Sequence, residues 1–227
     1  MSAPARRMPV AASVAIDGPE GPIAGELELP LQPAGVVLFA HGSGSSRQSP
    51  RNAVVAAALR EAGLGTLRVD LLPIGAAAHG EDAFDIARMT RRLAQAAGWL
   101  ATDPRTVGLP LGLFGASTGA AAALRLAAQA PEAIAAVVSR GGRPDLAGRQ
   151  ALRAVRAPVL LIVGGNDDIV VALNREALVD LRGERRLAIV PRATHLFAEP
   201  GALAHVARLA GDWFGRHFEA LARSQVP

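Results

Sequence analysis

The pentapeptide Gly115-Ala116-Ser117-Thr118-Gly119 sets one serine between two glycines. It falls between an apolar run of strand length (109–114) and an alanine-rich run of helix length (118–130). A sharp strand-to-helix turn would strain Ser117 and expose its hydroxyl, with the glycines placed where side chains would strike the neighbouring strand and helix. The first N–H groups of the helix would then point at any developing anion. A serine hydroxyl needs a base, and the base needs a third group to orient it. Of the five histidines, His195 stands just past the last strand-like run, in Pro191-Arg192-Ala193-Thr194-His195-Leu196. Asp167 and Asp168 stand just past the run 158–163. The chain order is Ser, Asp, His, and the chemistry it suits is acyl transfer through a covalent intermediate. An oxyanion needs two donors: the N–H of Thr118 is one, and the loop His41-Gly42-Ser43-Gly44-Ser45-Ser46 is placed to supply the other from Ser43. Gly42 would set that turn, and the His41 ring would bond to backbone beneath it. The plainer readings are that Ser117 is a helix cap, that one aspartate only shapes a turn, that His79 lies in a solvated loop, and that His205 and His217 pack or face solvent on the last helix.

The elements that must hold these residues alternate. Residues 13–16 and 24–29 read as short strands around a Gly/Pro turn. Runs 35–40, 66–71, 109–114, 133–139, 158–163 and 186–190 read as further strands. Helices are expected at 51–62, 81–100, 118–130, 149–155, 170–181 and 202–221. In the second of these, Phe84, Ile86, Met89, Leu93 and Trp99 are available for burial. Continuous apolar runs such as Gly-Val-Val-Leu-Phe-Ala at 35–40 fit strands covered on both faces. The pattern predicts a mostly parallel sheet with helices on both faces and an antiparallel edge made by the first two strands. In such sheets ligands bind beyond the carboxyl ends of the strands, where each candidate residue falls.

With 227 residues, half of them apolar and 19% charged, the chain suits one domain with a sizeable core, residues 1–12 being a flexible tail. There is no repeat period and no linker-like change of composition. Cysteine is absent, which excludes disulfides, a thiolate nucleophile and Cys-based metal sites. Apolar stretches are too short and too interrupted to span a bilayer. The pI of about 11.2 is not a nucleic-acid signature. All 24 basic residues are Arg, with no Lys or Tyr, so a net charge of only +4 persists to high pH. These arginines are scattered rather than gathered in a phosphate-binding stripe. Arg6-Arg7 before the apolar stretch 9–16 resembles a signal peptide, but no clean cleavage site follows, and a cytoplasmic protein is expected.

The motifs Ser139-Arg140-Gly141-Gly142-Arg143-Pro144-Asp145, Gly164-Gly165-Asn166-Asp167 and Ala193-Thr194-His195, with the serine and histidine loops above, resemble those of α/β-hydrolases, and of small dienelactone-hydrolase-like members in particular. The resemblance runs from about residue 18 to 217. It implies an α/β-hydrolase fold without a cap domain and a Ser117–Asp167–His195 triad that uses neither metal nor organic cofactor. Asp167 is favoured over Asp168 because related acids carry an apolar residue three positions on, here Val170. Dienelactone hydrolases proper carry a cysteine nucleophile. Ser117 in its place favours small carboxylic esters or thioesters over dienelactone itself. Arg140 or Arg143, with Arg47 from the serine-rich loop, would hold an anionic part of the substrate, the alternative being an ion pair with Asp145 or a capping role. Only eighteen residues separate Ser139 from Pro158, too few for a lid, so the site should be open to water. An acyltransferase or perhydrolase using the same triad, and a non-catalytic binding scaffold, are the alternatives. Neither nucleic acid nor membrane is expected as a partner, and the composition does not determine the oligomeric state.

Overall fold

A computed structural model describes residues 8–72 and 85–224. In chain order the elements are β1 (Val10–Ile16), β2 (Ile23–Leu29), β3 (Val36–Ala40), α1 (Pro50–Glu61), β4 (Gly65–Val69), α2 (Ile86–Thr102), β5 (Leu111–Ala116), α3 (Thr118–Gln129), β6 (Ala136–Arg140), a 3₁₀ turn (Pro144–Ala147), α4 (Arg149–Ala154), β7 (Val159–Gly164), α5 (Asp168–Asp180), β8 (Arg185–Val190) and α6 (Ala202–Ser224). The strands form one sheet in the order β1-β2-β4-β3-β5-β6-β7-β8. The pairs β1–β2 and β2–β4 are antiparallel, and every other pair is parallel. This is the α/β-hydrolase fold, with no cap domain among the described residues.

The burial of each strand follows its place. In β3, β6 and β7 every residue is buried, as strands covered on both faces require, whereas β1 alternates half-buried and exposed residues, as an edge strand does. Two cores result. On one face Met89 and Leu93 of α2 and Leu124 of α3 pack on Leu38, Leu67 and Leu113. On the other, Val55 and Leu59 of α1 and Phe214 and Phe218 of α6 pack on Val37, Phe39 and Phe114. Ile86 is buried as expected, while Trp99 is half-buried beneath the Arg105 guanidinium, 5.5 Å from its ring centroid. Phe84, His79 and the expected start of α2 at residue 81 lie outside the described residues.

Many boundaries differ from expectation by a residue or more, β6 for instance starting at Ala136 rather than at 133, and three of the differences shape the sheet edge or the site. β1 starts at Val10, because residues 10–12 pair with Leu27 to Leu29, so they belong to the sheet and not to a tail. β5 starts only after Pro110, which has no N–H to give, and runs on through Gly115 and Ala116, paired with Ala40 and Arg140. β5 thus delivers the chain directly to Ser117. α5 starts at Asp168, two residues early, so Asp167 lies just outside its first turn.

Candidate active site

Ser117 joins β5 to α3 with φ 52° and ψ −124°, a conformation that residues with a Cβ rarely hold. Two hydrogen bonds to the loop after β6 lock it: Ser117 N–H donates to the Arg140 carbonyl (3.2 Å), and Arg143 N–H donates to the Ser117 carbonyl (3.0 Å). Both flanking glycines are forced by close approach. A Cβ on Gly119 would stand 2.2 Å from the Ala40 carbonyl oxygen, and one on Gly115 would stand 2.4 Å from Ala120 Cα. The Ser117 side chain is half-buried and makes no capping bond to α3, so the helix-cap reading fails.

His195 lies in the loop after β8, with Nδ1 2.7 Å from Asp167 Oδ2. The carboxylate accepts, so Nδ1 carries the proton and Nε2 presents its lone pair outward. The imidazole is 40% exposed and the Asp167 side chain 15%. Asp168 is exposed in the first turn of α5 and does not reach the ring. The two loops are sewn together by Asn166, whose N–H donates to Ala193 O (2.9 Å) and whose Nδ2 donates to Arg192 O (3.1 Å). Gly141, next to Arg140, lies against the His195 backbone and ring. The serine and histidine loops therefore meet over the end of β6. Among the described residues Ser117 Oγ and His195 Nε2 do not form a hydrogen bond, a contact that in hydrolases often tightens only with substrate bound.

On the other side of Ser117, the loop after β3 approaches so closely that a Cβ on Gly42 would meet Ser117 Cβ at 2.9 Å. The Ser43 N–H points to the start of α3, but donates there to Thr118 Oγ1 (2.8 Å), and Ser43 Oγ lies 2.9 Å from the same atom. The side chain of Thr118 had no part in the sequence reading; a β-branched hydroxyl at the first position of α3 simply reaches the loop. His41 is buried beneath it. Its Nδ1–H donates to Gly42 O (2.9 Å) and its Nε2 accepts from Leu71 N–H (2.9 Å). Burial holds the His41 ring below its ordinary pKa, consistent with this neutral tautomer.

The three candidate arginines separate. Arg47 is held by Asp70, through side chain and backbone N–H, and lies near Glu26. Arg143 forms a forked pair with Asp145, at 2.9 and 2.7 Å, which also raises its pKa. Both match the alternative of an ion pair within the chain, carboxylates of its own elements already pairing with them. Arg140 is different. It is buried, 7% exposed, and its one hydrogen bond is a long one from Nη2 to Asn52 Oδ1 (3.5 Å). Burial and the nearby Arg51 push its guanidinium down to about 10, so it stays charged at neutral pH. Asn166, Asn52, Arg51 and Asn174, whose Nδ2 donates to Gly142 O (2.9 Å), were missed as site-shaping residues. Only Asn166 sat in a motif that could have flagged it. Among the described residues no three His, Asp or Glu side chains gather as metal ligands. A cavity of about 440 Å³ between α2 and α3 opens at the amino ends of β3 and β5, the edge opposite the chemistry.

Comparison with known proteins adds three findings. Residues 33–205 match the family described as "Alpha/beta hydrolase domain". The chain is 51% identical to a dienelactone hydrolase from Anabaena variabilis whose crystal structure superimposes with a TM-score of 0.88, over 92% of this chain and 98% of that one. The esterase domain of a Rhodothermus marinus protein shares the fold at 22% identity and a TM-score of 0.75, over 92% of this chain and 99% of that one. A Mycobacterium tuberculosis protein named "Putative phosphoribosyl transferase" is 54% identical over 196 residues, 86% of this chain. This chain spans only 44% of that relative's length.

Proposed function

Because the chain belongs to the α/β-hydrolase family, and is a hydrolase-class enzyme of the dienelactone-hydrolase-like kind, we propose that it cleaves small carboxylic esters or thioesters through an acyl-enzyme on Ser117. The observation that carries this reading is the 2.7 Å bond between His195 Nδ1 and Asp167 Oδ2. It leaves the Nε2 lone pair available as the base for a serine held at positive φ. In the proposed sequence His195 Nε2 takes the Ser117 proton as Oγ attacks the carbonyl carbon. Asp167 keeps the imidazole in the right tautomer and stabilises its cation. The oxyanion accepts from the N–H of Thr118 and from the N–H of Ser43, which it shares with Thr118 Oγ1. His195 returns the proton to the leaving group, and a water, activated by the same base, releases the acid. This chemistry uses neither a metal nor an organic cofactor.

The lack of a cap favours small, soluble substrates. No helix among the described residues is long and apolar enough to cross a membrane, and a cytoplasmic site of action is proposed. On this reading, phosphoribosyl transfer in the named relatives belongs to the part of those proteins beyond the shared span. A fluorophosphonate probe tests the proposal. Wild type should be labelled at Ser117 and should turn over short esters, and Ser117→Ala should do neither. Product analysis with added alcohol or peroxide separates hydrolysis from acyl transfer. An unlabelled, inactive wild type would leave a binding scaffold.

A further inference from the structure

Arg140 stands out among the buried arginines. Arg92 is as deeply buried, but it donates to the carbonyls of Glu20 (2.9 Å) and Pro22 (3.2 Å), which explains its place. Arg68 is paired with Glu26. Among the described residues the Arg140 guanidinium has no carboxylate and no carbonyl, only the long bond to Asn52. Its Nε is buried without a partner, as are the Nε atoms of Arg51, Arg68 and Arg92. The nearest charge that acts on Arg140 is the like charge of Arg51. Phe197 offers a ring face 5.8 Å away, a weak substitute for an anion.

A third positive feature shares the spot. Arg51 and Asn52 belong to the first turn of α1, a helix of 12 residues capped by Ser49, with no acidic residue in that turn. Its dipole adds positive potential on the side where Arg140 reaches Asn52 and feels the charge of Arg51. Three carboxylates of the described loops are committed elsewhere: Asp70 to Arg47, Asp145 to Arg143 and Asp167 to His195. A buried charge without a partner is expensive to keep, and a fold that retains one has a use for an anion there.

The spot adjoins the proposed nucleophile. Arg140 pairs with Ala116 across β5 and β6, and its carbonyl accepts from Ser117 N–H. Phe197, over the guanidinium, is two residues beyond His195. Arg51 is half-buried, so the pair can be reached from solvent along its side. We infer that Arg140 and Arg51, at the amino end of α1, form an oxyanion subsite that binds a phosphate monoester group on the ester substrate. Two full charges and a helix end match a dianion better than a single carboxylate. The inference rests on the hydrolase reading for its role, though not for its existence.

The test compares 2-phosphoethyl acetate with 2-methoxyethyl acetate, with inorganic phosphate as a separate probe. The phosphorylated ester should be preferred about 100-fold in kcat/KM, mostly through KM. Inorganic phosphate should inhibit its turnover competitively and bind wild type by calorimetry. Arg51→Met, at a half-exposed position that the fold tolerates better than a change at Arg140, should lose at least tenfold of both the preference and the phosphate affinity. Arg51→Lys should restore part of each. No preference for the phosphorylated ester, or a preference that Arg51→Met leaves unchanged, would overturn the inference. So would a stronger preference for a monosuccinate ester with the same Arg51 dependence, which would assign the subsite to a carboxylate. If no ester is turned over and Ser117 is not labelled, the hydrolase reading fails. Calorimetry with phosphate on wild type and Arg51→Met then still decides the subsite.

Discussion

At the scale of single residues, Ser117 combines strain with a half-buried hydroxyl side chain, and the two can be separated. Its φ of 52° strains any side chain with a Cβ, by about 1–3 kcal/mol in comparable cases. Ser117→Ala keeps that strain, and Ser117→Gly relieves it. We expect both variants to be inactive and the glycine variant to melt higher than the alanine one, measured by calorimetry side by side. An equal or lower melting temperature for Ser117→Gly would mean that the turn stores no strain. The acid is tested in the same way. Asp167→Asn should lower kcat by about 10³–10⁴-fold, since an amide can hold the wrong tautomer, whereas Asp168→Asn should change it by less than about threefold. The reverse ranking would move the role to Asp168. The positions of Ser117, Asp167 and His195 were legible in the sequence because each follows a strand, and strand ends converge in a parallel sheet. The fates of Arg47 and Arg143 were not. An arginine's partner is set by which carboxylate the fold brings near, and Asp70 reaches Arg47 only once β4 lies beside β3.

At the scale of elements, the approach of α3 to β3 positions Ser117, the proposed nucleophile. Gly119→Ala would press a methyl group into the Ala40 carbonyl. We expect at least about 3 kcal/mol of destabilisation, the upper end of overpacking costs, with a loss of activity in whatever remains folded. Urea titration and residual esterase rates check both. The end of β3 is tied to the end of β4 by His41, a neutral ring that accepts from Leu71 N–H. Its folded pKa lies below the ordinary 6.5, so the unfolded chain binds more protons in the window beneath that value. Stability should therefore be complete above about pH 6.5 and fall as the pH drops through the window. His217, also depressed by burial, adds a slope of the same sign. Denaturant melts at pH 5, 6, 7 and 8 should show this slope, and His41→Gln should flatten it in part while lowering stability at pH 8. An unchanged slope in the variant would assign the effect to other groups. Of these elements the order was readable from periodicity, but the exact start of β5 was not, since Pro110 and pairing with Ala40 and Arg140 decide it.

At the scale of the whole molecule, one sheet gathers residues from five loops at its carboxyl edge, and no lid covers that edge among the described residues. The same sheet explains why the anion subsite was only half readable. Arg140 was visible as an arginine past a strand, but Arg51 belongs to α1. The two meet only because α1 packs on the same face as α6, with Phe197 above β6. The predicted edge of β1 and β2, the alternation that follows and the burial of the central strands were written in hydrophobic pattern alone. The hydroxyl of Thr118 on the Ser43 N–H was not, because a bond between residues 75 positions apart leaves no local pattern.

The two backbone bonds at Ser117 carry the ladder between β5 and β6 one residue past the strands themselves. Amide hydrogen exchange reads such a ladder directly. The Ser117 and Arg143 amides should exchange as slowly as those of Phe114 and Val138 in the centre of the sheet, through global opening only. The amides of the exposed turn at Gly44 and Gln48 should exchange many-fold faster. The half-buried side chain of Ser117 would then be carried by a peptide that is among the last to open.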